Sequence, residues 1–385
     1  MKEWKTYKIG DICKTNISQY SVKEGWDEFL YLDTGNITRN TIDDIVRYSS
    51  AAELPSRARR KVICDDIIFS TVRPNQCHFG ILSNPPANLL VSTGFTVITA
   101  KKEIVDPYYL YYYLTQESIV DYLHSIGEQA VSAYPSIKAQ DIEDLEIELP
   151  DLSTQNNIAK TLRALDEKIQ LNRQINDNLK QQAQALYKSW FVDFEPFKDQ
   201  EFVDSEIGLI PENWNCTTLS EFISIKYGKD HKKLADGIIP VFGSGGLMRY
   251  VDTKLHEGES VLIPRKGSLN NVMYVNEAFW TVDTMFYSTP KVENSCIYAY
   301  LFLANKDLAS MNAGSAVPSM TTDILNNMPI IAPPTEVLKQ FNNICNVYFS
   351  RIHQNNIENA NLAKQRDTLL PKLMSGELKI NETDC

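Results

Sequence analysis

The feature that most constrains this chain is that it is written twice. "SAYPS" at Ser132–Ser136 returns as "SAVPS" at Ser315–Ser319, 183 positions later. The same offset lays Pro150 on Pro333, Ile169 on Ile352, Asn172 on Asn355, Asn176 on Asn359, Leu179 on Leu362 and Leu186 on Leu369. Near the start of each half, Trp4, Ile9, Asp11 and Ile12 find counterparts in Trp214, Leu219, Glu221 and Phe222, at an offset of 210. A repeat of this period implies two similar folding units, and the change of offset implies an indel of roughly 27 residues between them.

Each half ends in a helix with a heptad pattern. In the first, Ile158, Leu165, Asn172, Leu179 and Leu186 alternate with Leu162, Ile169, Asn176, Ala183 and Trp190. In the second, the same positions hold Phe341, Tyr348, Asn355, Leu362 and Leu369, with Cys345, Ile352, Asn359, Arg366 and Leu373. Five heptads in each helix predict coiled-coil packing. Asn172, Asn176, Asn355 and Asn359 sit at the centre of both series, where pairing fixes register at some cost in stability. Register alone leaves direction open. Antiparallel pairing follows from connectivity, because each helix leaves its own globular unit. The 38 residues from Thr154 to Phe191 would span roughly 57 Å. The expected fold is α+β: two pseudo-symmetric mixed α/β units separated by a long antiparallel two-helix coiled coil. Such a rod suits a target with two sites at fixed spacing, of which duplex DNA is the obvious one.

In the globular units "CDDIIFSTV", "GFTVITA", "ESVLIPRK", "NVMYVNE" and "DTMFYST" read as strands. "PYYLYYYLTQESIVDYL" reads as one amphipathic helix, repeated as "CIYAYLFLANKDL". That repetition makes its tyrosines core or interface residues before base-stacking ones.

The net charge of −11 is unevenly placed. Gln140–Glu206 carries 15 acidic against 7 basic residues, whereas Pro55–Gly80 carries 5 basic against 2 acidic and Phe222–Val272 carries 8 against 5. Two mildly basic patches flanking an acidic middle are compatible with two anion-binding surfaces. After corresponding strands, both units place basic and amide side chains in a polar turn. The first offers Arg73, Asn75 and Gln76, the second Arg265, Lys266, Asn270 and Asn271. Arginine suits bidentate bonds to guanine, and asparagine or glutamine suits adenine. Arg57, Arg59, Arg60 and Lys61, with Lys229, Lys232, Lys233 and Arg249, have the chemistry of phosphate contacts, which position without specifying.

Seven cysteines without CxxC pairs point to reduced thiols in a cytosol rather than to disulfides or zinc, and the five histidines form no local cluster. No apolar run is long enough for a membrane span, and no hydrophobic signal core opens the chain. Three motifs that resemble catalytic signatures fail on inspection. "NPPA" at Asn84–Ala87 lacks the aromatic that would stack a flipped adenine. The glycines of "VFGSGGLM" match neither GxGxxG nor a P-loop. Asp166 and Lys168 of a PD…(D/E)xK-like spacing flank the helix seam, and their repeat counterparts are Phe349 and Arg351. No metal site and no catalytic constellation is expected.

"LPDLSTQNNIAKTLRALDEKIQLNRQINDNL", "LYKSWFVDFEPF", "DSEIGLIPENW" and "LLPKLMSGELKI" together resemble a specificity subunit of a type I restriction–modification system, over essentially the whole chain. "IPVFGSGGLMRYVDTKLHEGESVLIPRKGS" resembles a recurrent target-recognition domain of that family. The resemblance implies a first target-recognition domain over 1–150, a central conserved helix over 151–195, a linker over 196–213, a second target-recognition domain over 214–332, and a C-terminal conserved helix and tail over 333–385. It implies that each domain reads one half of a bipartite site in double-stranded DNA, while the helices set the spacer and dock two methyltransferase subunits. It also implies motor-nuclease restriction subunits as further partners, a cytoplasmic location, and no cofactor on this chain. S-adenosylmethionine, ATP and Mg would belong to the partners. No full helical segment precedes Trp4, so the tail after Leu373 is expected to pack near the N-terminus.

Two other function classes stay open at this point. A diverged methyltransferase or nuclease would modify or cut DNA alone, given S-adenosylmethionine or Mg. A coiled-coil scaffold for proteins would show no steep salt dependence of DNA affinity.

Overall fold

The computed structural model describes residues 4–129, 134–311 and 318–379. Ser132, Ala133, Ser315, Ala316 and Val317 of the repeated pentapeptides lie outside these residues. The chain forms two compact units: 1–170 with 358–385, and 171–357.

The first unit holds two four-stranded sheets. One is antiparallel throughout, in the order Cys13–Thr15, Phe95–Ala100, Asp66–Ser70, Phe79–Leu82. The other runs Val46–Tyr48, Phe29–Leu32, Leu89–Ser92, Ala58–Lys61, with one parallel pairing, between Leu89–Ser92 and Phe29–Leu32. Asp66–Ser70 is buried along its whole length, as its run of apolar residues requires. The expected single helix from Pro107 is two, Pro107–Leu114 and Glu117–Gln129. The Asp106 carboxylate caps the first by accepting from the Tyr109 amide at 2.8 Å. That helix ends at Thr115, whose amide is shared between the carbonyls of Tyr111 and Tyr113. Tyr109, Tyr111 and Tyr112 are core residues, in keeping with the packing role expected for them.

The second unit is built on one six-stranded sheet, ordered Ile223–Tyr227, Met285–Pro290, His256–Pro264, Met273–Thr281, Asp236–Gly243, Gly246–Val251. Cys296–Ala304 is buried on nearly every side. Residues 196–213, expected as a linker, are folded: they contain the hairpin of Phe202–Ser205 with Gly208–Pro211. Phe194 and Phe197 pack edge-on against Trp214, with ring centroids at 5.6 and 4.9 Å.

The repeat is visible bond by bond. Lys5–Lys8 pairs with Glu146–Leu149 as Asn215–Thr218 pairs with Pro329–Ala332. Ile9 donates its amide to the Leu145 carbonyl, and Leu219 to that of Met328, both at 2.9 Å. Lys101 donates to the Ile12 carbonyl as Lys291 donates to that of Phe222. The two long helices, Leu152–Phe191 and Thr335–Met374, are each 40 residues and are displaced by 183 at both ends.

Each long helix leaves one unit and continues into the other. In the first unit the two helical segments are antiparallel: Arg366 meets Asp166 at 2.6 Å and Lys168 meets Glu358 at 3.7 Å. Ile158, Leu162, Leu370 and Leu373 join that unit's core. An alanine-sized Cβ on Gly376 would lie 3.1 Å from the Trp4 ring, so the tail reaches the N-terminus as expected. In the second unit the segments are again antiparallel, with Trp190 beside Phe341 at 5.8 Å and Asn176 beside Asn355. The buried seam drifts from the strict heptad: Tyr187, Phe191, Phe349 and Leu370 are buried, while Leu165, Leu179 and Leu186 are only partly so. A helix of 3.6 residues per turn slides off a 3.5-residue pattern in this way.

Asn355 donates to the Asn176 side-chain oxygen at 2.8 Å, and Asn176 in turn donates to Asn356 at 2.9 Å. Asn172 is fully buried in the same unit. The expected partner Asn359 is half-buried and belongs to the first unit. Asn356, absent from the heptad series, is the second partner of Asn176.

Candidate nucleic-acid interface

Two turns, one per unit, gather the candidate DNA-reading residues, and both are made the same way. In the first unit the Thr71 amide donates to the Gly94 carbonyl at 2.8 Å, and the Thr71 carbonyl accepts from Ile137 at 2.9 Å. In the second unit the Arg265 amide donates to the Thr284 carbonyl at 2.9 Å, and the Arg265 carbonyl accepts from Met320 at 2.9 Å. The next residues form the isolated bridges Val72↔Ser136 and Lys266↔Ser319. The last residue of each repeated pentapeptide, Ser136 or Ser319, and the residue after it thus hold these turns.

This fixes a residue correspondence that the sequence left open. Thr71 is equivalent to Arg265, Val72 to Lys266, and Arg73 to Gly267. Both Arg73 (φ 47°) and Gly267 (φ 86°) are left-handed. Glycine accepts that conformation freely, whereas an L side chain costs roughly 1–2 kcal/mol there. The motif offset obscured this because the length difference is distributed. It is 210 at Ile9/Leu219, 194 at Thr71/Arg265, 190 at Lys101/Lys291 and 183 at Ser136/Ser319.

Around the first turn, Arg73 lies over the Tyr134 ring with its guanidinium carbon 4.6 Å from the centroid. Its amide donates to the Pro135 carbonyl at 2.9 Å. Pro74–Gln76 is one 3-10 turn, closed by Cys77, also left-handed, and Asn75 and Gln76 are exposed on it. Strained backbone of this kind persists where the surroundings impose it, and it clusters at functional sites. The Arg57 carbonyl accepts from Thr93 at 2.9 Å, which brings Arg57 to the same Thr93–Gly94 bend. Burial opposes ionisation of nearby Asp33, but the Thr34 amide, the Ser92 and Tyr31 hydroxyls and the Arg57 charge together hold its carboxyl below the usual range. The run Arg57–Lys61 divides. Arg57 and Arg59 are exposed, while Arg60 donates to the Asn16 side chain at 2.5 Å and Lys61 pairs with Glu24 at 2.6 Å.

In the second unit the residues converge on the bend Thr281–Thr284. Arg265 stacks 5.4 Å over Tyr227 and donates to the Asp283 carbonyl at 3.2 Å. The Lys229 amide donates to the Thr281 carbonyl, and the Trp280 indole returns a bond to the Lys229 carbonyl, both at 2.9 Å. Gly228 makes this approach feasible, since a Cβ there would stand 2.0 Å from the Val282 carbonyl oxygen. Lys266 is exposed, as are Lys229, Lys232 and Lys233. Arg249, Asn270 and Asn271 also make bonds within the fold. Arg249 holds the Leu234 carbonyl at 2.8 Å and Asp236 at 3.2 Å. Asn270 bridges Asp307 and the Ala309 amide. Asn271 donates to the Ser244 carbonyl at 2.8 Å. Ser244 is the tip of the Gly243–Gly246 hairpin, and a Cβ on Gly267 would stand 2.6 Å from its hydroxyl. The glycine-rich stretch is thus a tight two-residue hairpin turn docked on the Arg265–Gly267 turn.

Sequence reasoning missed Tyr134 and Tyr227, the rings beneath the two arginines. Tyr134 lies inside the repeated pentapeptide, a signal that was available; Tyr227 carries none. Asp166 is engaged by Arg366 and by the Tyr112 hydroxyl at 2.7 Å, which excludes the nuclease-like reading of its motif. Among the described residues no group of three or more His, Cys, Asp or Glu side chains could hold a metal ion. Among them, too, no helix is long and apolar enough to cross a membrane.

Comparison with known proteins gives one consistent result. The chain is 26% identical to the specificity subunit of the type I restriction enzyme HindI of Haemophilus influenzae, over 98% of this chain and 100% of that protein. It is 26% identical to the specificity subunit of the type I restriction enzyme MjaIX of Methanocaldococcus jannaschii, over 99% of this chain and 95% of that one. The crystal structure of the type I restriction–modification S subunit from M. genitalium shares the fold, with a TM-score of 0.57 at 17% identity over 96% of both chains. The family profile described as "Type I restriction modification DNA specificity domain" matches residues 1–181 and 211–362, both halves of the repeat, and the chain belongs to that family.

Proposed function

We propose that this DNA-specificity chain reads a bipartite duplex site. The first unit contacts one half-site through the turn Arg73–Gln76, with Arg57 and Arg59 on phosphates. The second unit contacts the other through Arg265 and Lys266, with Lys229, Lys232 and Lys233 on phosphates. The observation that carries the reading is the repeated turn, clamped by the same bonds in both units and presenting cations at each. The arginines supply the bidentate donors that distinguish guanine. The chain itself is non-catalytic and works in the cytoplasm. Two methyltransferase subunits dock on the long helices and bring S-adenosylmethionine; motor-nuclease subunits bring ATP and Mg.

The helices set the unread spacer. Deleting one heptad from each shortens the pair by about 10 Å, roughly three base pairs at 3.4 Å each. The expected result is the same two half-sites separated by a spacer shorter by that amount, read from the methylated motif. An unchanged spacer would overturn the ruler mechanism.

A further inference from the structure

The second unit carries an apolar cluster at the edge of its reading surface. Leu247 is 51% exposed, Met248 56% and Tyr250 46%, all on the return strand of the hairpin tipped by Ser244. The cluster is continuous with the cationic bend. Leu247 pairs with Phe242, Phe242 pairs with Thr281, and the Thr281 carbonyl receives Lys229. On the other side, Ser244 is bonded to Asn271 and abuts Gly267 of the Arg265–Gly267 turn. Exposed apolar side chains grouped in this way mark a contact surface. The lysines and arginine around them select a polyanion.

Their chemistry says what part of that polyanion they meet. In this unit the amides that suit adenine, Asn270 and Asn271, are both committed to internal bonds. Arg265 and Lys266 remain for guanine and phosphate. The apolar group that the major groove presents is the thymine 5-methyl, and apolar side chains recognise it.

We propose, resting on the reading above, that Leu247 and Met248 are specificity-determining residues that enclose thymine methyl groups in the half-site read by the second unit. The test uses the full chain in the complex it forms, and a duplex carrying its methylated motif. Each thymine of both half-sites is replaced in turn by deoxyuridine, which removes the methyl and keeps base pairing. The wild-type complex should lose about fourfold in affinity at one or more thymines of a single half-site, the worth of one buried methyl group. Leu247→Ala with Met248→Ala should bind the thymine duplex more weakly and no longer distinguish uracil at those positions. Ile238→Ala, an equally apolar surface change at the far end of the hairpin, should leave the discrimination intact. Deoxyuridine tolerated at every position by the wild-type complex would overturn the proposal without recourse to any variant, as would equal discrimination by the double variant. A complex that binds no bipartite motif at all would instead overturn the DNA-reading function on which the proposal rests.

Discussion

Asn355 donates through its side-chain amide to the side-chain oxygen of Asn176 at 2.8 Å, and both residues are buried. On one side of this pair the seam is apolar, with Ile352 and Phe349 on one helix and Ala183 and Tyr187 on the other; on the other side lies the buried amide of Asn172. A polar pair in such a setting is weak as a source of stability and strong as a constraint on register, because any slip leaves amides buried without partners.

Asn355→Leu alone should therefore destabilise the chain by about 1–3 kcal/mol, since Asn176 loses an acceptor-satisfying donor in a buried position. Asn176→Leu combined with Asn355→Leu should recover most of that loss while permitting alternative registers. Thermal unfolding of the two variants measures the first effect. Cysteine pairs placed across the helices report the second through the number of cross-links that form. A double variant as destabilised as the single one would contradict this account.

Arg366 and Asp166 form a polar contact between the helical segments of the first unit, with side chains only 20% and 23% exposed. Arg366→Met leaves Asp166 with the Tyr112 hydroxyl alone, and should cost about 3 kcal/mol, the lower end for breaking a buried pair. Asp166→Asn should cost less, because Arg366 keeps Asp367 at 2.8 Å. Chemical denaturation of the two variants orders the losses; the reverse order would contradict the assignment.

Arg73→Gly separates folding from reading. The left-handed backbone at Arg73 welcomes glycine, as the equivalent Gly267 demonstrates. Relief of strain and the greater freedom of the unfolded chain nearly cancel, so stability should change by less than about 1 kcal/mol. Loss of a bidentate contact worth about 1–3 kcal/mol should relax the methylated motif at one position of one half-site. A motif read as strictly as before would remove Arg73 from the interface.

Asp66 supplies a pH dependence. It is buried, and burial pushes its carboxyl above the usual range despite bonds from the Thr99 hydroxyl and the Ile63 amide. The folded chain therefore holds this proton more tightly than the unfolded chain. The carboxyl favours folding when protonated, and the advantage falls away as pH rises from about 3.8 through its folded value. Asp66→Asn does not titrate, so the stability of wild type relative to this variant should decline across that interval. A relative stability that rises instead would reverse the sign assigned to Asp66.

Much of this architecture was legible in the sequence because repetition and helical periodicity are local signals. The 183-residue offset fixed both long helices to within a few residues at each end. The strands before both reading turns were legible as apolar runs. What escaped were features set by tertiary contact. Arg73 matched Arg265 in chemistry, but the paired strands aligned it with Gly267. Asn270 and Asn271 had reading chemistry and Arg249 phosphate chemistry, yet each also bonds to a segment that only the fold brings near. The break at Thr115 was hidden because no Gly or Pro stands at it.

On the proposed reading, this chain decides which bipartite sequence is methylated. Mapping modified bases across the source genome, with the gene present and with it removed, tests that claim most directly. The account predicts the loss of one bipartite methyladenine motif, its two half-sites separated by a fixed spacer, with every other motif retained. An unchanged methylome, in cells where that motif is methylated and the chain is expressed, would contradict it.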